Sequence, residues 1–125
     1  MSKLLLDTNI LIDHLRGDPK ATVLLHDIEV GRVVASISVI TESELLSASS
    51  LNLRQLRDIA ALLNILPKLA VTSHVAQIAA RFRRLYHIDL ADALIAATAY
   101  LANTTLVTRN LKHFRSIKEL HTQTL

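Results

Sequence analysis

At 125 residues the chain has the length of one domain. Half of its residues are apolar and only 3 % aromatic, so its core must be built from Leu, Ile, Val and Ala. It contains no cysteine, which excludes disulfides, thiolate metal sites and cysteine nucleophiles. A formal charge of +3 is compatible with a polyanionic partner without demanding one. No apolar run approaches the ~18 residues of a spanning helix, and Asp92 interrupts the nearest candidate, Leu90 to Ala102. The start of the chain lacks the basic-then-apolar pattern of a signal peptide, so a cytoplasmic protein with no membrane association is expected.

The apolar run Lys3–Leu6 reads as a strand that stops abruptly at Asp7-Thr8-Asn9. Asn9–Leu15 and Lys20–Asp27 read as short helices separated by Gly17-Asp18-Pro19, and Val33–Ala35 as a second strand. Ser38 is a predicted N-cap for a helix carrying Val39, Ile40, Leu45 and Leu46. Arg54–Leu63 has helical periodicity through Leu56, Ile59, Leu62 and Leu63, Leu69–Val71 is strand-like, and His74–Tyr86 is helical. Asp89–Leu101 is Ala-rich and nearly apolar all round, the pattern of a buried helix. Thr105–Val107 reads as a strand, Leu111–Phe114 as one helical turn, and His121–Thr124 as an edge strand. Short apolar strands alternating with longer helices predict a single α/β domain over residues 1–125, a three-layer α/β/α sandwich with a mostly parallel central sheet.

Such a sheet delivers ligands to its carboxyl edge, and three carboxylates are placed to reach it: Asp7 after the first strand, Glu44 early in the helix after the second, and Asp92 early in the buried helix. Each has an ordinary alternative. Asp7 and Asp92 suit helix N-termini, with Asp89 a further cap, and Glu44 suits an exposed helix face as Glu42 does. Taken together, clustered carboxylates repel one another unless a cation offsets them. Oxygen donors without Cys or a paired His favour Mg²⁺ or Mn²⁺ over zinc. The six histidines show no metal-binding spacing, two glycines cannot build a phosphate loop, and no GxSxG elbow is present. An Asp-nucleophile phosphatase would want an acid where Asn9 stands, and a receiver domain would want a mid-chain Asp after a strand.

Four strings carry a resemblance: Leu4-Leu5-Leu6-Asp7-Thr8-Asn9, Ser38-Val39-Ile40-Thr41-Glu42-Ser43-Glu44-Leu45, Asp92-Ala93-Leu94-Ile95-Ala96-Ala97-Thr98-Ala99, and Leu106-Val107-Thr108-Arg109-Asn110-Leu111-Lys112-His113-Phe114. In this order, from Leu4 to about Phe114, they resemble PIN domains and look most like the VapC-type toxins of prokaryotic toxin–antitoxin pairs. The resemblance implies an Mg²⁺- or Mn²⁺-dependent endoribonuclease in which a metal-activated water cleaves RNA. It carries Asp7, Glu44 and Asp92 over as the acidic metal-binding and catalytic triad, with Thr8 and Asn9 steadying Asp7 or its water. Glu44 is chosen over Glu42 because the family's acid stands three residues after the Thr and directly precedes the Leu. Relatives commonly place a fourth acid where this chain has Asn110 or His113. Asn110 therefore enters as a metal ligand through its amide oxygen only, and a permanently filled second metal site is not expected. Arg109 and Lys112, with Arg81, Arg83 and Arg84, are the expected contacts to the RNA backbone. The resemblance further implies a homodimer and a cognate antitoxin. The rival reading is a PIN-fold RNA- or protein-binding module whose nuclease activity is weak or lost.

Overall fold

The computed structural model describes residues 3–125. Its elements, in order, are β1 (Leu4–Leu6), α1 (Thr8–Leu15), α2 (Pro19–Glu29), β2 (Ala35–Ser38), α3 (Val39–Leu46), α4 (Leu53–Asn64), β3 (Lys68–Leu69), α5 (Ser73–Tyr86), α6 (Leu90–Leu101), β4 (Thr105–Val107), α7 (Leu111–Phe114) and β5 (Thr122–Gln123). The strands form one five-stranded sheet in the order β3-β2-β1-β4-β5, with every pair parallel. The predicted three-layer α/β/α sandwich is therefore the observed fold.

Side-chain alternation along β1 divides the core. Leu4 and Leu6 face one layer with Ile10, Leu25, Ile59 and Leu62, whereas Leu5 faces the other with Phe82, Ala96 and Phe114. Helices α1, α2 and α4 supply the first layer, and α5, α6 and α7 the second. The α6 helix buries Ala93, Ile95, Ala96, Ala97 and Ala99, and its small side chains fit between α5 and the sheet. Helix α3 spans the layers, with Leu45 in the first and Ile40 packed against the second.

Local signals set the boundaries. Asn52 and Gln55 close α4 with reciprocal hydrogen bonds, a capping box that starts this helix one residue before the predicted Arg54. The second strand runs over Ala35–Ser38, not Val33–Ala35, because β1 pairs Leu4 with Ala35 and Leu5 with Ser36. Lys68–Leu69, not Leu69–Val71, forms β3, whose register places Lys68 against Ile37. Ser38 ends β2 and also caps α3, its hydroxyl accepting from Ile40 N–H at 3.0 Å.

The order of strands sets where a ligand can bind. From β1 the chain steps outward to β2 and β3, then returns to place β4 on the other side of β1. The connections diverge between β1 and β4, and parallel sheets open a crevice at the carboxyl ends flanking such a point. Asp7 follows β1 and Thr108 follows β4, joined by a bond from Asp7 N–H to the Val107 carbonyl at 2.9 Å.

Candidate active site

Asp7 is buried at the floor of this crevice. Its Oδ1 accepts from Thr8 N–H at 2.8 Å, which caps α1, and its Oδ2 accepts from the Thr108 hydroxyl at 2.7 Å. Burial raises its pKa above the ordinary carboxylate value. The Thr108 and Thr8 hydrogen bonds oppose that rise, while the charges of Asp92 and Glu44 add to it. The three predicted carboxylates thus share one electrostatic neighbourhood, and the two donors to Asp7 are neutral.

The other two acids have partners of their own. Glu44 Oε1 accepts from the Thr8 hydroxyl at 2.6 Å, and that hydroxyl lies 2.9 Å from the buried Thr41 hydroxyl. Because Thr8 has one proton and gives it to Glu44, Thr41 must be the donor to Thr8. Asp92 sits in the first turn of α6, where the helix dipole favours its charge, and Oδ2 lies 3.3 Å from His113 Nδ1. Asp89 occupies the N-cap position of α6 but makes no side-chain cap hydrogen bond.

The loop after β4 completes the cluster. Asn110 N–H donates to the Thr108 hydroxyl at 3.0 Å, and Arg109 N–H donates to Asn9 Oδ1 at 3.3 Å. Thr108 thereby links Asp7 to the loop. Thr108 and Thr41 were not among the site residues expected from sequence. The available signal for Thr108 was its position, since it ends the Thr105–Val107 strand as Asp7 ends the first.

Three of the basic residues expected on RNA have partners within the protein. Arg109 is 2.7 Å from Asp18 Oδ2 and 3.5 Å from Asp13 Oδ2, so its charge is compensated within the fold. Arg81 pairs with Glu119 at 3.3 Å and lies against the Phe82 and Tyr100 rings. Arg83 donates to the Ile88 carbonyl. Arg84 and Lys112 are exposed, and neither makes an ion pair among the described residues.

The donor chemistry fits a hard divalent cation: Asp7, Glu44 and Asp92 present only oxygen, and Asn110 adds an amide. Among the described residues, however, no three His, Asp or Glu side chains stand in a ligating arrangement, because Glu44 turns to Thr8 and Asp92 to His113. A groove of about 320 Å³ opens beside Glu44, lined in part by Ile12, Leu15, Arg16, Leu51 and Ile59. Among the described residues no helix is long and apolar enough to cross a membrane.

A parallel α/β sandwich whose carboxyl edge gathers acids is the architecture expected from the four sequence strings. A family model described as the PIN domain matches residues 4–120. The chain belongs to the PIN domain family. It is 37 % identical over 122 residues to Ribonuclease VapC19 of Mycobacterium tuberculosis, covering 93 % of this chain and 95 % of that protein. Among solved structures it resembles a toxin–antitoxin complex from Klebsiella pneumoniae, with 32 % identity, a TM-score of 0.78 and 94 % of each chain covered. VapBC2 from Rickettsia felis, solved with a DNA fragment from its promoter, shares the fold at a TM-score of 0.86, with 24 % identity and 98 % of each chain covered.

Proposed function

We propose that this chain is an Mg²⁺- or Mn²⁺-dependent endoribonuclease and the toxin of a toxin–antitoxin pair. The observation that carries the reading is Asp7, a buried carboxylate held by neutral donors at the switch point of the sheet, with two further carboxylates opposing its charge. Such a group is costly unless a cation completes it. The names of the relatives, a ribonuclease and a toxin–antitoxin complex, support both halves of the proposal.

Asp7, Glu44 and Asp92, with Asn110 as a neutral donor, hold the cation in this reading. When bound, the cation offsets their charge and activates water for attack on a phosphodiester. The protein's own part is positional. Thr108 and Thr8 fix the two oxygens of Asp7, Thr8 fixes Glu44, and His113 lies against Asp92. Lys112, on α7 beside His113, and the exposed Arg84 are the proposed contacts to the RNA backbone. The groove beside Glu44 offers an antitoxin segment access to the site. A homodimer is the proposed assembly, to be measured by light scattering.

The test is RNA cleavage with Mg²⁺, Mn²⁺ or EDTA, comparing wild type with Asp7→Asn. Metal-dependent cleavage lost in the variant supports the reading, and full activity in the variant or in EDTA sinks it. A second reading, a PIN-fold binding module with weak or lost nuclease activity, is favoured by Asn110 and by the His113–Asp92 contact at usual acidic positions. RNA or a protein partner retained without cleavage in any divalent metal would decide for it.

A further inference from the structure

Arg109 is the most heavily engaged basic side chain near the crevice, yet its partners are intramolecular. Its backbone N–H donates to Asn9 Oδ1 near the start of α1. Its guanidinium then lies 3.5 Å from Asp13, four residues further along α1, and donates from Nη2 to Asp18 Oδ2 at 2.7 Å. Residues four apart lie on one face of a helix, so Arg109 runs along the face of α1 and ends at the corner between α1 and α2.

That corner is built to receive it. Asp18 N–H donates to the Asp13 carbonyl at 2.9 Å, and Gly17 supplies the left-handed φ of +88° that turns the chain. The same Asp18 oxygen that meets Arg109 also accepts Ala21 N–H at 2.9 Å, capping α2. Side-chain exposure is 30 % for Arg109 and 32 % for each aspartate, and Arg109 Nε is buried without a hydrogen-bonded partner. A solvated phosphate contact would not keep that group shielded from water.

We propose that Arg109 is a positioning residue, a latch that ties the loop after β4 to the α1–α2 corner and so holds Thr108 on Asp7. The loop is short, and its middle residue carries the latch. Thr108 on one side donates to Asp7, and Asn110 on the other donates its N–H to the Thr108 hydroxyl. The two acidic partners make the latch specific for a forked cation, since a lysine ammonium is a single point charge and cannot match that geometry. The consequence for cleavage rests on the nuclease reading above, whereas the latch itself does not.

The experiment compares wild type, Arg109→Ala, Arg109→Lys, Asp18→Asn and the Arg109→Ala/Asp18→Asn double variant. Asp18→Asn removes the charge but keeps an oxygen for the Ala21 N–H. Amide hydrogen exchange, read by NMR on the full chain, is expected to quicken about tenfold at Arg109 and Asn110 in Arg109→Ala and in Asp18→Asn. The double variant should be no faster than either, and Arg109→Lys should fall between. In RNA cleavage, kcat should drop about tenfold, as small misplacements at active sites do. KM and the salt slope of RNA binding should stay as in wild type. Unchanged exchange in Arg109→Ala overturns the latch. So does a raised KM with a shallower salt slope and preserved kcat, which would make Arg109 an RNA contact. If wild type cleaves no RNA, the nuclease reading fails, while the exchange pattern still decides the latch.

Discussion

The Thr108 hydroxyl donates to Oδ2 of Asp7 at 2.7 Å, joining two residues 101 positions apart in the chain. The contact exists because β1 and β4 are parallel neighbours in register, with Leu6 opposite Val107, so the next residue of each strand meets at the same edge. Among the described residues it is the one side-chain donor to a carboxylate that burial makes costly.

Replacing Thr108 with Val should leave that oxygen without its donor and destabilise the protein by about 1–3 kcal/mol at neutral pH. Thr108→Ser, which keeps the hydroxyl, should recover most of the loss. Urea denaturation of both variants measures this, and a Thr108→Val variant as stable as wild type would show that the hydrogen bond contributes nothing.

Asp7→Asn should raise stability in metal-free buffer while abolishing cleavage. The folded-state pKa of Asp7 lies above its ordinary value of 3.8, so the native protein binds this proton more tightly than the unfolded chain. The associated stabilisation is complete below 3.8 and lost as pH rises through the raised value. The advantage of Asn over Asp should accordingly grow across that window and then level off. Melts in EDTA from acid to neutral pH test the sign, and a variant less stable than wild type at neutral pH would contradict it.

A divalent cation should reverse the order. Binding only the folded state at a hundredfold excess over Kd contributes about 2.7 kcal/mol. Wild type should therefore melt higher in Mg²⁺ or Mn²⁺ than in EDTA, with the gain reduced in Asp92→Asn and absent in Asp7→Asn. Equal shifts in all three would place the ion elsewhere.

Tyr86 donates its hydroxyl to Glu119 at 2.8 Å, and this hydrogen bond to a carboxylate raises its pKa above 10.0. The contribution to stability is present below pH 10 and lost as pH rises through the raised value. Alkaline absorbance titration should show a late transition from Tyr86, which Glu119→Gln moves to lower pH. An unmoved transition would mean that Glu119 does not set it.

Much of this molecule is legible without coordinates. The helix signals are local: Ser38 caps the helix that follows, and the Ala-rich run of α6 reads as buried. Strand limits were less legible. The two-residue β3 owes its place to pairing with β2, and the serines of β2 give it little apolar pattern. Asp7, Glu44 and Asp92 stood out because carboxylates in apolar surroundings demand an explanation.

The partners of those acids were not legible. Thr41, Thr108, Asp13 and Asp18 carry no local signal of their partners, and they matter through contacts with residues far away in sequence. Arg109 shows the difference most clearly: beside Lys112 it looks like part of a basic patch, and in space it faces two aspartates. The sequence by itself determined the alternation of strands and helices and the acids at their ends, because periodicity and capping act over a few residues. Only the tertiary structure decided which hydroxyl steadies which carboxylate and which cations are free, because parallel pairing of β1 with β4 brings together groups that no local pattern relates.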